Sequence, residues 1–417
     1  MFFYKLDDIV LFSNFNYDLD EISETEAMSN ENIIYFLNRL NPLNSRKMFC
    51  VSHPSLLYLE EENINLINIS NNSECKTPLW IMDKTNDRKV IGINTNYSNW
   101  KESINYTLPE SWKVNIVGLG DVGSTLLIGL KLLGTNTIDS IGLYGLNKNN
   151  LQRLEYEMNQ IIDPFSNEHM PEINIVEEDK LFDCDMFVFC ASKGIPPVGS
   201  NVSDVRMIQF QENAKIVSHY ARKARHSSFK GIFAVVSDPV DPLCKVSFIS
   251  SNKDENGNLD FLGLSSDQIR GYGLGVMNAR AIYYSQKDSN TKNYINEGRA
   301  FGPHGKGLII ANSINDYDEE LSLILTNKAI NANIDVRNTG FKPYIAPALS
   351  SGALSLINTM KGNWNYSSTY MGSIFMGAKN RLTKSGVEIE MLHLPEQLLS
   401  KIENTYKDLN DIDCFKF

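Results

Sequence analysis

One segment limits the fold of this chain more than any other. Val114-Asn-Ile-Val117 is an apolar strand signal, Gly118-Leu-Gly120-Asp121-Val122-Gly123 a glycine turn, and Leu126-Leu-Ile-Gly-Leu-Lys-Leu-Leu133 a helical run. Strand, turn and helix in that order are what a dinucleotide pyrophosphate requires. Gly118 allows the tight turn and Gly120 lets the backbone approach the phosphates. Gly123 lets the helix pack on the strand, and the N–H groups of the helix start, with Asp121 and Val122, face the anion. A glycine triplet alone is weak; here both flanks supply the context it needs.

At 417 residues with 42% hydrophobic content, the chain is long enough for two or three domains. A net charge of -11 argues against non-specific nucleic-acid binding, and Arg222, Lys223 and Arg225 read as a solvated helix face. Cys50, Cys75, Cys184, Cys190, Cys244 and Cys414 form no CxxC pair, so buried reduced thiols are expected and no metal site. The first residues lack a basic start followed by a long apolar run, and no stretch approaches membrane-spanning length. The expectation is a cytoplasmic protein with no membrane partner.

Residues 1–110 alternate short strand signals (8–12, 48–51, 64–69, 89–93) with a helical stretch at 31–40 and Asn/Ser-rich loops. They predict a small α+β extension, with His53 beside Pro54 a turn residue. From Lys113 the pattern is βαβ: strands at 113–118, 139–144, 173–177, 186–191 and 231–237, and helices at 122–133, 148–161 and 207–222. This alternation predicts a Rossmann-type doubly wound parallel sheet over 111–240, its ligand at the carboxyl ends of the strands. An α+β catalytic domain over 241–417 would complete the site.

Four segments, in order, resemble the lactate and malate dehydrogenases. They are the glycine turn, Ser237-Asp-Pro-Val-Asp241, Gly271-Tyr-Gly-Leu-Gly-Val-Met-Asn-Ala-Arg280 and Gly302-Pro-His-Gly305, with His304 placed 24 positions after Arg280. The resemblance covers about 113–410 and leaves the N-terminal extension outside it. It implies an NAD(P)-dependent oxidoreductase moving a hydride to or from a carbonyl of a carboxylate-bearing substrate, commonly as a homo-oligomer. Its implied roles fall residue by residue. His304 transfers the proton, Arg280 holds the substrate carboxylate with its planar fork, and Arg206 closes over the site on a mobile loop. The preceding loop, 193–201, is longer than usual and holds two prolines. Tyr344 would wall the substrate pocket or serve as a core tyrosine.

Three departures matter. Where the family carries an aspartate that orients the catalytic histidine, this chain has Met277. Where the family has an asparagine against the reacting oxygen, it has Asp238. That carboxylate could favour a cationic iminium, could lend His304 the partner Met277 cannot supply, or could simply turn the chain before Pro239. Where the second strand usually ends in an acid for the ribose hydroxyls, Gly145 stands, with Asn147 and Lys148 following. The cofactor is therefore read as NAD or NADP, and an imine joins the carbonyl as acceptor. The alternative is a non-catalytic dinucleotide-binding or scaffold protein whose N-terminal domain binds a peptide or protein partner; in the catalytic reading that domain could present a carrier- or peptide-borne substrate.

Overall fold

The computed structural model describes residues 1–69, 77–193 and 205–417, with the backbone alone at 105 and 205–208. The N-terminal region forms a six-stranded sheet in the order β3-β1-β2-β4-β6-β5. Its strands are β1 (Phe2–Leu6), β2 (Ile9–Ser13), β3 (Asp20–Glu21), β4 (Ile34–Asn38), β5 (Met48–Cys50) and β6 (Val90–Asn94), joined in part by helices α1 (Glu24–Met28) and α2 (Leu79–Asn86). The helix expected at 31–40 is a strand. β4 runs parallel between β2 and β6 and is buried along its whole length, and the apolar run Ile33-Ile-Tyr-Phe-Leu37 that leads into and fills most of it suits a two-faced sheet core better than an amphipathic helix. The strand expected at 64–69 is instead a single 3-10 turn, Ile64–Leu66, followed by an isolated bridge from Asn68 to Leu392. His53 does act as a turn residue, its ring capping the turn that starts at Pro54.

The second sheet has nine strands. β7 (Trp112–Val117), β8 (Ile138–Tyr144), β9 (Glu172–Ile175), β10 (Met186–Phe189), β11 (Ile232–Val235) and β12 (Ile269–Gly271) are parallel, in the order β9-β8-β7-β10-β11-β12. Helices α3 (Asp121–Leu133), α4 (Lys148–Asn159), α5 (Val205–His226) and α6 (Val240–Ser251) make the crossovers. The strand order reverses between β7 and β10, and at that switch point the helices after the two strands leave on opposite sides, opening a crevice above Val117 and Phe189. Every residue of α6 is buried, which makes it a central core helix rather than a surface one.

The same sheet continues past residue 240. Beyond β12 and α7 (Leu274–Ser285) come α8 (Tyr294–Glu297), the small hairpin β13 (Arg299–Phe301) and β14 (Ile309–Ala311), α9 (Glu319–Asn338) and α10 (Leu354–Met360). Then β15 (Asn365–Met371), β16 (Ile374–Thr383) and β17 (Gly386–Ile389) add antiparallel strands onto β12, and α11 (Glu396–Asn410) follows. The N-terminal sheet docks here. Its edge strand β5 lies against β17, Arg88 pairs with the buried Glu388 at 2.8 Å, and Met48 N–H donates to Asp267 at 3.3 Å. The opposite edge is the two-residue acidic β3, which pairs with Tyr4 and Lys5 of β1.

Candidate active site

The glycine turn has the shape its sequence calls for. Gly118 sits at φ 90°, and a Cβ there would lie 2.2 Å from the Ala191 nitrogen. At Gly123 a Cβ would lie 2.2 Å from the Gly118 carbonyl oxygen. Packing of this chain therefore explains both glycines. Gly120 differs: no protein atom lies within 4 Å of a Cβ built there, so the space its missing side chain leaves is open. Gly120 also caps α3 with no side-chain acceptor, leaving the first helical N–H groups to an outside anion. These features fit a dinucleotide pyrophosphate. Asp121 and Val122 form the first turn, with Asp121 in an exposed pair with Lys342 at 2.9 Å.

At the end of β8, Gly145 carries no carboxylate, and Leu146 is fully exposed beside it. Asn147 is committed to capping α4, its side chain accepting from Asn150 N–H. Of the two polar candidates for a ribose phosphate, Lys148 alone keeps its head group outside the cap.

Asp238 and His304 meet above the carboxyl end of β11. Asp238 precedes a cis peptide to Pro239 at the entry to α6. Its carbonyl is held by Asn213 on α5, a fully buried side chain whose Nδ2 lies 2.7 Å away. The Asn213 Oδ1 accepts from Lys193 N–H at 2.9 Å, so one amide ties the exits of β10 and β11 together. Asn213 was not singled out from the sequence; its one signal there is a polar side chain amid the apolar run of Phe210, Ala214 and Val217 on a helix. His304 follows β13 and approaches Gly273, where a Cβ would stand 3.1 Å from the His304 Cβ. Its Nδ1 lies 3.1 Å from Asp238 Oδ1.

That contact decides the tautomer. A carboxylate can only accept, so Nδ1–H donates to Asp238 and Nε2 carries the transferable proton. Burial is the largest influence on the imidazole and lowers its pKa. The Asp238 charge and hydrogen bond, with help from Asp241, outweigh it against the opposing Arg280, and the net shift is upward. Asp241, inside the first turn of α6, is wholly buried, and burial pushes its carboxyl up to about 7. Met277 is buried at 1% exposure and supplies no carboxylate.

Arg280 projects from α7 close enough for His304 to feel its charge. Its Nη1 donates to the Ala329 carbonyl at 3.2 Å and touches Met277 Sδ at 3.5 Å. Among the described residues no carboxylate pairs with it, although burial disfavours its charge. Arg206 lies on the backbone of α5, but its side chain, like the loop at 194–204, falls outside the described residues. Tyr344 is half-buried ahead of the π-helical stretch Pro347–Ala353, which packs on both α3 and α7.

The described cysteines, Cys50, Cys184, Cys190, Cys244 and Cys414, are free, and burial pushes the Cys190 thiol up to about 12. Among the described residues no group of His, Cys, Asp or Glu is arranged to hold a metal ion, and no helix is long and apolar enough to cross a membrane.

A doubly wound sheet with a glycine cradle at its switch point defines the Rossmann class. Residues 112–260 match the family described as lactate/malate dehydrogenase, NAD binding domain. An L-lactate dehydrogenase of Treponema denticola is 26% identical over 193 residues, which take in 46% of this chain and 55% of that protein. The chain thus spans little more than half the length of that relative. A malate dehydrogenase of Aliarcobacter butzleri is 23% identical over 319 residues, 71% of this chain and 95% of that one. In structure, the lactate dehydrogenase MGS-M5 from a Medee basin deep-sea metagenome superposes with a TM-score of 0.58 at 19% identity, covering 74% of this chain and all of that one. The minor L-lactate dehydrogenase of Enterococcus mundtii gives 0.58 at 18%, covering 74% and 98%. Residues 112–260 thus match the NAD-binding domain of the lactate/malate dehydrogenases, the fold is the one those enzymes share, and the N-terminal region is extra to the match.

Proposed function

We propose that this protein is a dinucleotide-dependent oxidoreductase acting on a small substrate that bears a carboxylate. One observation carries the reading: the Asp238–His304 pair stands above the carboxyl end of β11, one strand from the switch point, beside Arg280, a guanidinium without an acidic partner among the described residues. A scaffold has no physical need to keep a partly buried cation with no acidic partner among the described residues beside a histidine whose carboxylate neighbour favours its protonated form.

Gly118, Gly120, Asp121, Val122 and Gly123 would hold the dinucleotide, which when bound supplies or accepts the hydride. Arg280 fixes the substrate carboxylate bidentately and so sets which face of the reacting carbon is presented. His304 holds a proton at Nε2 and delivers it to the heteroatom that gains the electron pair; in the reverse direction it takes that proton away. Asp238 keeps the ring oriented and charged. Arg206 and Tyr344 are assigned to closing the crevice and lining it. With Gly145 in place of an acid, nothing at the end of β8 repels a 2′-phosphate, so NADP joins NAD as a candidate.

The test is a fluorescence titration with NADH and, separately, NADPH, repeated on Gly120→Val. Tight binding of one dinucleotide, abolished by the substitution, is expected. Binding of neither by the native chain would sink the reading.

A further inference from the structure

The crevice holds more charge than a carboxylate alone would need. Asp238 is half-exposed, with 49% of its side chain open to solvent, while His304 beside it keeps 22%. The carboxylate therefore does not merely back the imidazole from inside the protein; it shares the crevice wall with it. Asp241 lies behind, three residues along and fully buried, close enough that its charge bears on His304. Arg280 stands near enough for its charge to act on His304, and among the described residues it donates to a backbone carbonyl and touches a thioether. Among the described residues the wall thus presents the Arg280 fork and, beside the proton-transferring ring, the part-exposed Asp238 carboxylate.

From this pattern, and resting on the oxidoreductase reading above, we infer that the substrate is a zwitterion of the amino- or imino-acid class. Its carboxylate would lie on Arg280 and its cationic nitrogen against Asp238. An alkoxide forming beside Asp238 would be repelled, whereas an ammonium or iminium there is attracted. The chemistry balances for an imine. The acceptor is the protonated imine: a hydride from the reduced dinucleotide bonds to the iminium carbon, the carbon–nitrogen π pair becomes the nitrogen lone pair, and His304 Nε2 gives that nitrogen a proton to leave an ammonium. The dinucleotide is oxidised and the carbon–nitrogen bond reduced. Oxidation of an amino acid runs the same steps backward.

The test is binding as well as turnover. Titration calorimetry on the full chain compares pairs that differ only in the 2-substituent: alanine with lactate, aspartate with malate, and phenylalanine with phenyllactate. The amino acid is expected to bind at least tenfold more tightly in one or more pairs. Asp238→Asn should remove that preference, and Arg280→Gln should weaken both members. Because preference is a ratio within one preparation, partial loss of folded protein does not mimic it. In turnover with NADH or NADPH, a 2-oxo acid with ammonium or methylamine should outrun the 2-oxo acid alone, and Asp238→Asn should reverse the order. Equal or tighter binding of the hydroxy acids in every pair, no binding of either member, or a preference that survives Asp238→Asn overturns the inference while leaving dinucleotide binding, and so the oxidoreductase reading, standing. Loss of that reading would show separately, as failure to bind either dinucleotide.

Discussion

Nδ1 of His304 and Oδ1 of Asp238 meet at 3.1 Å although 66 residues separate them in the chain. The contact joins the loop after β13 to the turn after β11. It gives the histidine a carboxylate from a different element than α7, where Met277 stands.

Asp238→Asn should therefore lower turnover on the preferred substrate by on the order of 100-fold. It should also move the pH profile. Proton donation requires the imidazolium, so reduction falls as pH rises through the His304 pKa, which Asp238 holds above its ordinary value. In the variant that fall should come at lower pH. The same pair stabilises the fold fully below about pH 6.5, the ordinary histidine value, and that contribution is lost as pH rises through the raised one. A profile of kcat/KM against pH that is unchanged in Asp238→Asn would refute the assignment.

Asp241 should act on stability with the opposite habit to most aspartates. Its carboxyl is raised from 3.8 to about 7, so between those values the folded chain binds more protons than the unfolded one. Stability then declines as pH rises across that window, by roughly 4 kcal/mol at most. Asp241→Asn removes the ionisation and should raise Tm at pH 8 relative to the native chain more than at pH 5. Parallel Tm curves for the two proteins would contradict this.

The two glycines of the turn should separate folding from binding. The Cβ that Gly120→Val introduces meets no protein atom within 4 Å, so its Tm should stay close to native while dinucleotide affinity collapses. Gly118→Ala places a Cβ 2.2 Å from a backbone nitrogen at φ 90° and should cost several kcal/mol, on the order of 2–4, in stability. Chemical denaturation and NADH titration of both variants check the contrast, and a destabilised Gly120→Val that still binds would break it.

Within the N-terminal region, Arg46 and Glu62 form an ion pair at 3.0 Å with side-chain exposures of 2% and 0%. Glu62→Ala strands the guanidinium and should cost about 3–5 kcal/mol. Urea unfolding measures it; a loss under about 1 kcal/mol would mean the arginine finds another partner.

Much of the architecture was legible before any coordinates. The alternation from Lys113 to Ser237 predicted β7, β8, β9, β10 and β11 and their helices to within a few residues, because buried parallel strands read as continuous apolar runs between helical periods. Ile34–Asn38 misled for the same reason. A short, wholly apolar run has no period, and its neighbours β2 and β6, not its own sequence, made it a strand. Gly118, Gly120, Asp238, Arg280 and His304 were all singled out from the sequence. Asn213 was passed over as a structural residue, since a buried amide and a surface amide look alike in a string of letters.

The sequence by itself determined the turn chemistry, the parallel core and the loss of a carboxylate at Met277, because those depend on residue type and near neighbours. Three readings of Asp238 stood equal at that level. Only the tertiary structure chose among its contacts, by bringing β11 and the loop after β13 to the same crevice. It also decided that β15, β16 and β17 extend the parallel sheet through β12, and that the N-terminal sheet docks on β17 through Arg88 and Glu388. The physical reason is common to all three. Hydrogen bonds and ion pairs act over about 3 Å, and which groups come that close across dozens or hundreds of residues is settled by packing of the whole chain.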